Sequence, residues 1–461
     1  MKKLLAVGFL LLGGLALGQG VSLPDPTIVD LDNGVVLIVH EKRDVPLVGV
    51  SAVLRGGAVT DPAGKAGLAS LFAGLLEKGA GDRGAAAFAE TLDAAGASLN
   101  ASAGIESITL SGDFLARDAG LAVELLIDML RAPMLDRDEF EKLRERQINL
   151  IRAAKDGDMR GLSPIYGAAW LFGGHPYGTP VSGDETTLAN ISHDDVLAYY
   201  ADFVGADRLI VSVVGDVMAP EIIAALSGGL TDWRPAGQPL PEVAAPQAQE
   251  GRRVLLIDKP GATQSYFWIG NVGVARDYPR RAELDIANTL FGGRFTSMLV
   301  DEMRTKAGLT YGASSSLTRP MKPGSVAIVS YTKTESTATA IDLALSLLAR
   351  MRAEGFSDEL IASGKNYILG QFPPQFETSA QLARELARLE AAGLAASYIN
   401  DYGAAIAAAS GEDVRSVIAD VYPNPDNLVF VVIGDAELIR EDIARYGPVT
   451  EMLMTEPRFT P

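Results

Sequence analysis

Cysteine is absent from this chain of 461 residues, and histidine occurs only three times. Without cysteine the protein forms no disulfide and no thiolate site. The three histidines, His40, His175 and His193, never stand four residues apart, so no helix carries the His pair that many zinc sites use. Basic residues number 40 against 58 acidic ones, and the net charge of −18 argues against nucleic-acid binding through phosphate contacts. The Gly-x-Ser-x-Gly motif of serine hydrolases is missing as well.

Long apolar runs are also lacking, with one exception at the N-terminus. Two lysines follow Met1, residues 4–17 are almost wholly apolar or glycine, and small residues stand at 16 and 18. This order is typical of a secretory signal peptide, here residues 1–18, with cleavage after Gly18. The run is too short for a comfortable bilayer span. We therefore expect a periplasmic or secreted protein with no stable membrane span.

A proline-rich segment divides the chain into two halves. Residues 234–251 contain four prolines and few large apolar side chains, which is typical of a linker. The pattern predicts an N-terminal domain over residues 25–233 and a C-terminal domain over residues 252–447. We expect the tail after Gly447 to be loosely ordered.

The two halves repeat one pattern of strands and helices. The clearest match is between residues 209–216, L-I-V-S-V-V-G-D, and residues 428–435, L-V-F-V-V-I-G-D. An apolar strand that ends in Gly-Asp at the same place in both halves indicates a duplication. Strand pairs interleaved with helix pairs predict an α+β fold. We expect two homologous domains, each a mostly antiparallel sheet with helices packed on one face.

Several short motifs, in order along the chain, resemble those of the pitrilysin/insulinase family of zinc peptidases, which includes mitochondrial processing peptidase. The resemblance runs from about Leu31 to about Gly447. The motifs are Leu31-Asp32-Asn33-Gly34-Val35, Gly56-Gly57, Gly67-Leu68-Ala69, His175-Pro176-Tyr177-Gly178 with Gly183, and Ile191 to Val196 ahead of Gly215-Asp216. Each motif is weak by itself, and their shared order carries the resemblance.

The zinc motif of the family is not present. Active members carry H-x-x-E-H where this chain has Ser70-Leu71-Phe72-Ala73-Gly74. Ser70 and Gly74 occupy the two histidine positions and Ala73 the glutamate position, and none of them replaces a zinc ligand or a general base. In the region of the family's later glutamate ligand, Glu145 is expected to be surface charge. We therefore expect no metal site and no cofactor in this chain.

A second family segment is retained in residues 289–312. There a Gly-rich turn leads into a helix that ends in Arg304, and a glycine and Tyr311 follow. The resemblance implies that Arg304 and Tyr311 bind the substrate backbone and stabilise the oxyanion, for which a guanidinium and a phenol are suitable donors. The alternative is that Arg304 is a surface residue at a helix C-terminus and Tyr311 a core residue.

The resemblance implies a subunit that has lost one half of an active site and kept the other. In one branch of the family, one subunit carries the zinc motif and its homologue carries the Arg/Tyr pair. We expect the non-zinc-binding subunit of a heterodimeric periplasmic zinc metalloendopeptidase, inactive alone, with zinc held by a homologous H-x-x-E-H partner and with peptides as substrates. The alternative is a catalytically inactive scaffold or a peptide-binding subunit of a larger complex.

Overall fold

The computed structural model describes residues 21–23 and 25–461. The predicted signal peptide, residues 1–18, lies outside the described residues. The strands are β1 Thr27–Asp30, β2 Val36–Glu41, β3 Leu47–Arg55, β4 Gly79–Ala80, β5 Arg83–Gly84, β6 Ser98–Ala103, β7 Ser107–Leu115, β8 Leu209–Gly215, β9 Arg253–Asp258, β10 Gln264–Val272, β11 Ala313–Leu317, β12 Ser325–Lys333, β13 Val429–Gly434 and β14 Val449–Leu453.

Helices separate these strands in both halves. They are α1 Leu68–Leu76, α2 Ala85–Ala95, α3 Ala119–Arg131, α4 Arg137–Gly157, α5 Met159–Phe172, α6 Glu185–Ala189, α7 His193–Phe203, α8 Ala219–Leu230, α9 Arg281–Asn288, α10 Thr337–Glu354, α11 Asp358–Gln371, α12 Ser379–Ala391, α13 Ser397–Asn400, α14 Tyr402–Ala408, α15 Gly411–Val421 and α16 Ala436–Ile443. Two π-helical segments, Thr289–Gly293 and Val300–Lys306, lie between α9 and β11. None of the helices in the described part of the chain has the length and apolar content that crossing a bilayer requires.

Each half forms one six-stranded sheet, and five of the six strands match in order and direction. The outer strands differ, because β1 precedes β2 and pairs with it antiparallel, whereas β14 ends the chain and pairs with β9 parallel. The first has the order β1-β2-β8-β3-β7-β6 and the second, read from its other edge, β14-β9-β13-β10-β12-β11. The strand that ends in Gly-Asp, β8 or β13, pairs parallel with the first strand of the repeat and antiparallel with the second. Most of the remaining pairs are antiparallel. The predicted α+β fold of two homologous domains is confirmed.

One helix of each half crosses to the sheet of the other half. Helix α5 packs on β10 and β13, and helix α12 packs on β3 and β8. Each sheet is therefore covered by its own helices on one face and by a single borrowed helix on the other. For this reason the central strand β8 is buried along its whole length. Long apolar runs, rather than strict alternation, are what a strand buried on both faces requires.

Glycine permits close approach at both crossings. A Cβ on Gly49 of β3 would lie 2.3 Å from the backbone nitrogen of Ala380 in α12. A Cβ on Gly167 of α5 would lie 2.5 Å from Cδ2 of Trp268 in β10. Both distances are far below ordinary van der Waals contact, so these positions favour residues without a side chain.

The tail after Gly447 is ordered, and the expectation that it would be loose is wrong. Strand β14 adds to the edge of the second sheet beside β9. Phe459 is 2% exposed, and its ring meets the ring of Tyr166 edge-on at 4.9 Å between centroids. The tail thus runs from the C-terminal sheet to the N-terminal half. It is held in the N-terminal half because large apolar side chains such as Phe459 are buried against that half.

The predicted linker, residues 234–251, contains no helix and no strand and runs between α8 and β9. It is held by hydrogen bonds at both ends. Near its start, Arg234 donates to the carbonyl oxygens of Tyr200 and Val204 at 2.9 Å each. Near its end, the amide of Gln249 donates to Oδ1 of Asn271 at 2.9 Å. The segment therefore follows a fixed path over the surface.

Candidate functional site

Helix α1 holds the three positions where active relatives would carry the zinc motif. The helix follows Gly67, whose φ of +97° suits glycine. The carboxylate of Asp61 accepts hydrogen bonds from the amides of Gly67 and Ala69, each at 2.8 Å, and so supports the first turn. Ala73 is buried, whereas Ser70 and Gly74 lie on the one strip of the helix that is partly exposed. The three positions therefore lie on a regular α-helix and carry no side chain that binds zinc.

Helix α4 faces this strip, and its side chains are not metal ligands either. Nε2 of Gln147 donates to the backbone oxygen of Ser182 at 2.7 Å and approaches Oγ of Ser70 at 3.3 Å. A Cβ on Gly74 would lie 3.6 Å from Cδ1 of Leu143. Glu145 is exposed and belongs to the outer surface of α4. A hydroxyl, a carboxamide and a leucine do not form a zinc-binding donor set, so the residues present do not fit the metal.

Elsewhere in residues 21–23 and 25–461, no three His, Asp or Glu side chains lie together as a metal-binding group. His175 uses both ring nitrogens: Nε2 donates to the carbonyl oxygen of Ala244 at 2.9 Å, and Nδ1 accepts from the amide of Tyr177 at 3.1 Å. Nε2 of His193 donates to the carbonyl oxygen of Leu135. The two histidines therefore organise the backbone around them.

The His-Pro-Tyr-Gly loop connects the two halves. The hydroxyl of Tyr177 donates to the carboxylate of Glu106 and accepts from the amide of Lys322 at 3.0 Å. The same carboxylate accepts from the amide of Met321 at 2.9 Å. Burial is the first cause that raises the pKa of Tyr177, and the bond to Glu106 adds to it. The phenol therefore stays protonated and serves as a fixed link between the halves.

Arg304 and Tyr311 lie in one turn of the C-terminal half. Arg304 belongs to the π-helical segment Val300–Lys306, and Tyr311 stands two residues before β11. Gly308, with φ of +64°, reverses the chain between them. The guanidinium carbon of Arg304 lies 4.7 Å from the ring centroid of Phe295, within cation–π distance. Tyr311 is 79% exposed, so the interpretation of Tyr311 as a core residue is wrong.

Both residues line one cavity of about 310 Å³, which we name the Arg/Tyr pocket. Its wall is made mostly of arginines, aromatic rings and backbone of small residues. The side chains that define it are Arg160, Ser163, Tyr266, Arg294, Phe295, Arg304, Tyr311, Tyr331 and Tyr367. Arg160 and Ser163 come from the borrowed helix α5 of the N-terminal half, so the pocket is complete only when the halves are packed together.

The electrostatics of the Arg/Tyr pocket contrast with the acidic chain around it. Of the described residues that line it, none is acidic, and the recorded partners of its three arginines are neutral: two aromatic rings and the hydroxyl of Ser363. The guanidinium carbon of Arg160 lies 5.6 Å from the ring centroid of Tyr331, whose ring stacks on that of Tyr266 at 5.2 Å. Fixed cationic donors over aromatic faces suit carbonyl or carboxylate oxygens and extended peptide.

A larger cleft of about 600 Å³ also contains arginines, but most of them are engaged. Arg55 donates to the carbonyl oxygens of Glu390 and Ala391 at the end of α12, both at 3.2 Å. Arg319 pairs with Asp285 at 2.8 Å. The cleft is therefore mainly a seam between the halves, and the Arg/Tyr pocket is the better candidate site.

Known proteins share this fold and its two-part organisation. A family model described as "Insulinase (Peptidase family M16)" matches residues 35–160, and one described as "Peptidase M16 inactive domain" matches residues 190–368. The chain therefore belongs to the M16 family of pitrilysin/insulinase peptidases, as the sequence motifs predict.

Curated relatives resemble most of the chain. A protein of Streptomyces coelicolor named "Uncharacterized zinc protease" is 25% identical over 75% of this chain and 76% of its own length. The Helicobacter pylori "Non-peptidase homolog YmxG" is 24% identical over 82% of this chain and 86% of its own length.

Solved structures share the fold. A Pseudomonas fluorescens structure described as a peptidase M16 inactive domain covers 89% of this chain and 98% of its own, with a TM-score of 0.82 and 21% identity. A structure described as a protease from Helicobacter pylori covers 89% of this chain and 100% of its own, with a TM-score of 0.83 and 19% identity. At these identities the likeness concerns the fold.

Sequence reasoning named two residues of the pocket and missed the others. Arg294 and Phe295 lie in the segment that holds Arg304, where the Gly-Gly turn before them was the available signal. Arg160 and Ser163 gave no signal, because they lie more than a hundred residues away and reach the pocket only through the crossing of α5.

Proposed function

We propose that this chain is the non-zinc-binding subunit of a heterodimeric zinc metalloendopeptidase. The observation that carries the proposal is that Arg304 and Tyr311 line one open pocket while the zinc positions Ser70, Ala73 and Gly74 hold no ligands. An exposed tyrosine beside an arginine without an acidic partner has little structural purpose in an isolated chain. In the complex both side chains bind the peptide backbone and stabilise negative charge on its carbonyl oxygen.

The zinc and the general base belong to a homologous partner with an H-x-x-E-H helix. The names of the relatives are in keeping with such a division, since one is called a non-peptidase homolog and another an uncharacterized zinc protease. The chain alone is inactive, because α1 and α4 offer no metal ligands on their shared face.

Extended peptides bind by adding a strand to a sheet edge. Strand β6 is the last strand of its sheet and, among the described strands, pairs with β7 alone. On its outer edge the amide of Ala101 donates to Oε1 of Glu77 at 2.7 Å, a bond that an added peptide strand would replace. Helix α1 packs beside β6. A peptide on this edge would form backbone hydrogen bonds along its length, which gives affinity with little dependence on sequence.

The proposed compartment is the periplasm. The support is the basic, apolar and small-residue order of residues 1–18, together with the absence of cysteine from the chain.

The test begins with a pull-down of the mature chain from its own periplasm. A peptidase assay with and without chelator follows, on the chain alone and on the recovered complex. Recovery of an H-x-x-E-H homologue, with chelator-sensitive cleavage by the complex only, supports the proposal. The Arg304→Ala/Tyr311→Ala double variant should assemble normally and lose most of the turnover. An intact complex that cleaves no peptide, or a double variant with full activity, favours the scaffold or peptide-binding subunit instead.

A further inference from the structure

The Arg/Tyr pocket contains more cationic donors than the Arg304/Tyr311 pair needs. Arg160 enters from α5, and Arg294 enters from the turn after the first π-helical segment. Arg160 lies over the ring of Tyr331 and Arg294 donates to Oγ of Ser363, and neither is paired with a described carboxylate, although acidic residues exceed basic ones by 18 in this chain. Asp158, two residues before Arg160, accepts the amide of Gly161 at 2.8 Å at its own helix start, and its charge acts on Tyr266 of the pocket. Burial is the first cause that raises the pKa of this phenol, and the charge of Asp158 adds to it while Arg160 lowers it. Two further guanidinium groups are thus available to a ligand.

Buried polar atoms at the same place also lack partners. Ser163 is 1% exposed and lines the pocket, yet its Oγ has no hydrogen-bond partner among the described residues. Nε of Arg294 is buried without a partner as well, while its Nη1 donates to Oγ of Ser363 at 3.0 Å. Buried polar groups in folded proteins are nearly always paired. Unpaired hydroxyls also occur at Ser51, Ser212 and Ser379, so the lack of a partner alone does not mark a ligand site; at Ser163 and Arg294 it coincides with the wall of a cavity that two further arginines line.

We propose that Arg160, Arg294 and Ser163 form a carboxylate-binding subsite next to the Arg304/Tyr311 pair. Arginine is suited to this task, because its planar fork donates two parallel hydrogen bonds to a carboxylate. The rings of Tyr266, Tyr331 and Phe295 surround the subsite and suit an apolar or aromatic side chain beside the carboxylate. The ligand is an extended peptide that carries this carboxylate either at its C-terminus or on an acidic side chain.

This inference rests on the proposed function, because it names the class of peptide that the same site takes. Its test differs from the test of the heterodimer, because binding to the isolated chain is measured without a partner subunit and without a metal. The carboxylate preference is a property of binding to this chain alone, and its failure would leave the heterodimer open. Conversely, if the heterodimer proposal fails, the chain would still have a peptide-binding pocket that prefers carboxylate-bearing peptides.

The experiment is isothermal titration calorimetry on the mature chain with three acetylated peptides of alternating alanine and phenylalanine. The first has a free C-terminal carboxylate, the second a C-terminal amide, and the third a C-terminal amide with glutamate in place of one alanine. We expect at least one of the carboxylate peptides to bind about tenfold more tightly than the plain amide. A preference for the first assigns the subsite to the chain terminus, and a preference for the third assigns it to an acidic side chain.

Three variants complete the design. Arg160→Gln and Arg294→Gln should each remove most of the carboxylate preference while circular dichroism and thermal unfolding stay close to wild type. Arg146→Gln is the matched control, because Arg146 lies exposed on α4 away from the pocket. It should keep the full preference. Equal binding of all three peptides, or a preference that persists in both pocket variants, would overturn the proposal.

Discussion

Single residues distinguish this chain from the zinc-binding members of its family, and two others carry the role that we propose for it. At Ser70 and Gly74 the loss of imidazole leaves a strip of α1 that Gln147 and Leu143 face without forming a donor set. At Arg304 and Tyr311 the side chains remain solvent-accessible at the wall of a cavity. Tyr311 is 79% exposed and contributes little to the core, so its side chain is free to contact peptide in the role that we propose.

The hydroxyl of Tyr311, rather than its ring, is expected to matter for turnover. Tyr311→Phe keeps the aromatic surface and removes the donor, and Tyr311→Ala removes both. If the phenol stabilises developing charge, both variants should lower kcat of the complex by about a hundredfold with a small change in KM. Steady-state kinetics on the purified complex measure this. Normal kcat in the Phe variant, with a loss only in the Ala variant, would limit Tyr311 to a packing role against the peptide.

At the scale of elements, the two borrowed helices explain why small residues recur along the central strands. Gly49 and Ser51 of β3 and Ser212 of β8 lie on the face that α12 covers, and Ser51 pairs with Ser212 across the strands. Alanines of α12, such as Ala383 and Ala387, are completely buried there. Helix and sheet therefore approach closely, and this packing requires that these positions carry no large side chain.

Gly167→Ala should destabilise the protein even though alanine favours helix. The added methyl meets the indole of Trp268, which is 3% exposed and has little room to move. The strain should outweigh the gain in helix propensity and lower the free energy of unfolding by about 1–3 kcal/mol. Urea unfolding measures it. The control is Gly228→Ala in α8, where the methyl meets open space, and there a gain of about 0.5–1 kcal/mol is expected.

The start of α1 should make stability depend on pH through Asp61. Its carboxylate is enclosed although the residue as a whole is only partly buried, and this burial raises its pKa to about 7, above the ordinary value of 3.8. The folded state therefore holds a proton that the unfolded chain releases between about pH 4 and 7. Asp61 should thus cost stability progressively as pH rises through this window, by at most about 1.4 kcal/mol per pH unit.

Comparison with Asp61→Asn isolates this effect, since the amide does not titrate. Relative to the Asn variant, wild type should be more stable at pH 5 than at pH 8 when both are unfolded in urea. A difference between the two proteins that stays constant with pH would show that Asp61 is ionised throughout.

At the scale of the whole molecule, the strands and helices within each half could be predicted from the sequence, but the way in which the two halves pack together could not. Strands such as β8 and β13 were readable, because an apolar run ending in Gly-Asp recurs. The family motifs located Arg304 and Tyr311. The sequences of α5 and α12 did not indicate that each helix covers the sheet of the other half, because an apolar helix face predicts burial without identifying the surface that it packs against. For the same reason the contribution of Arg160 to the pocket was not predictable.

This reciprocal exchange predicts that neither half folds alone. Without α12, the first sheet would expose Ile38, Val53, Ile210 and Val214, and the second sheet without α5 would expose a comparable face. Residues 21–247 and 252–461, expressed separately, should be insoluble or unfolded by circular dichroism, and co-expression should restore a soluble complex.

The matched experiment cuts the linker in the folded protein. A protease site inserted between Glu242 and Val243 lies where the chain forms no helix or strand, so cleavage should leave both borrowed helices in place. The two fragments should then co-elute in size-exclusion chromatography and unfold in one transition, at a slightly lower temperature than the uncut chain because the cut raises the entropy of the unfolded state. Fragments that separate under native conditions, each still folded, would mean that the exchange of helices is not what holds the halves together.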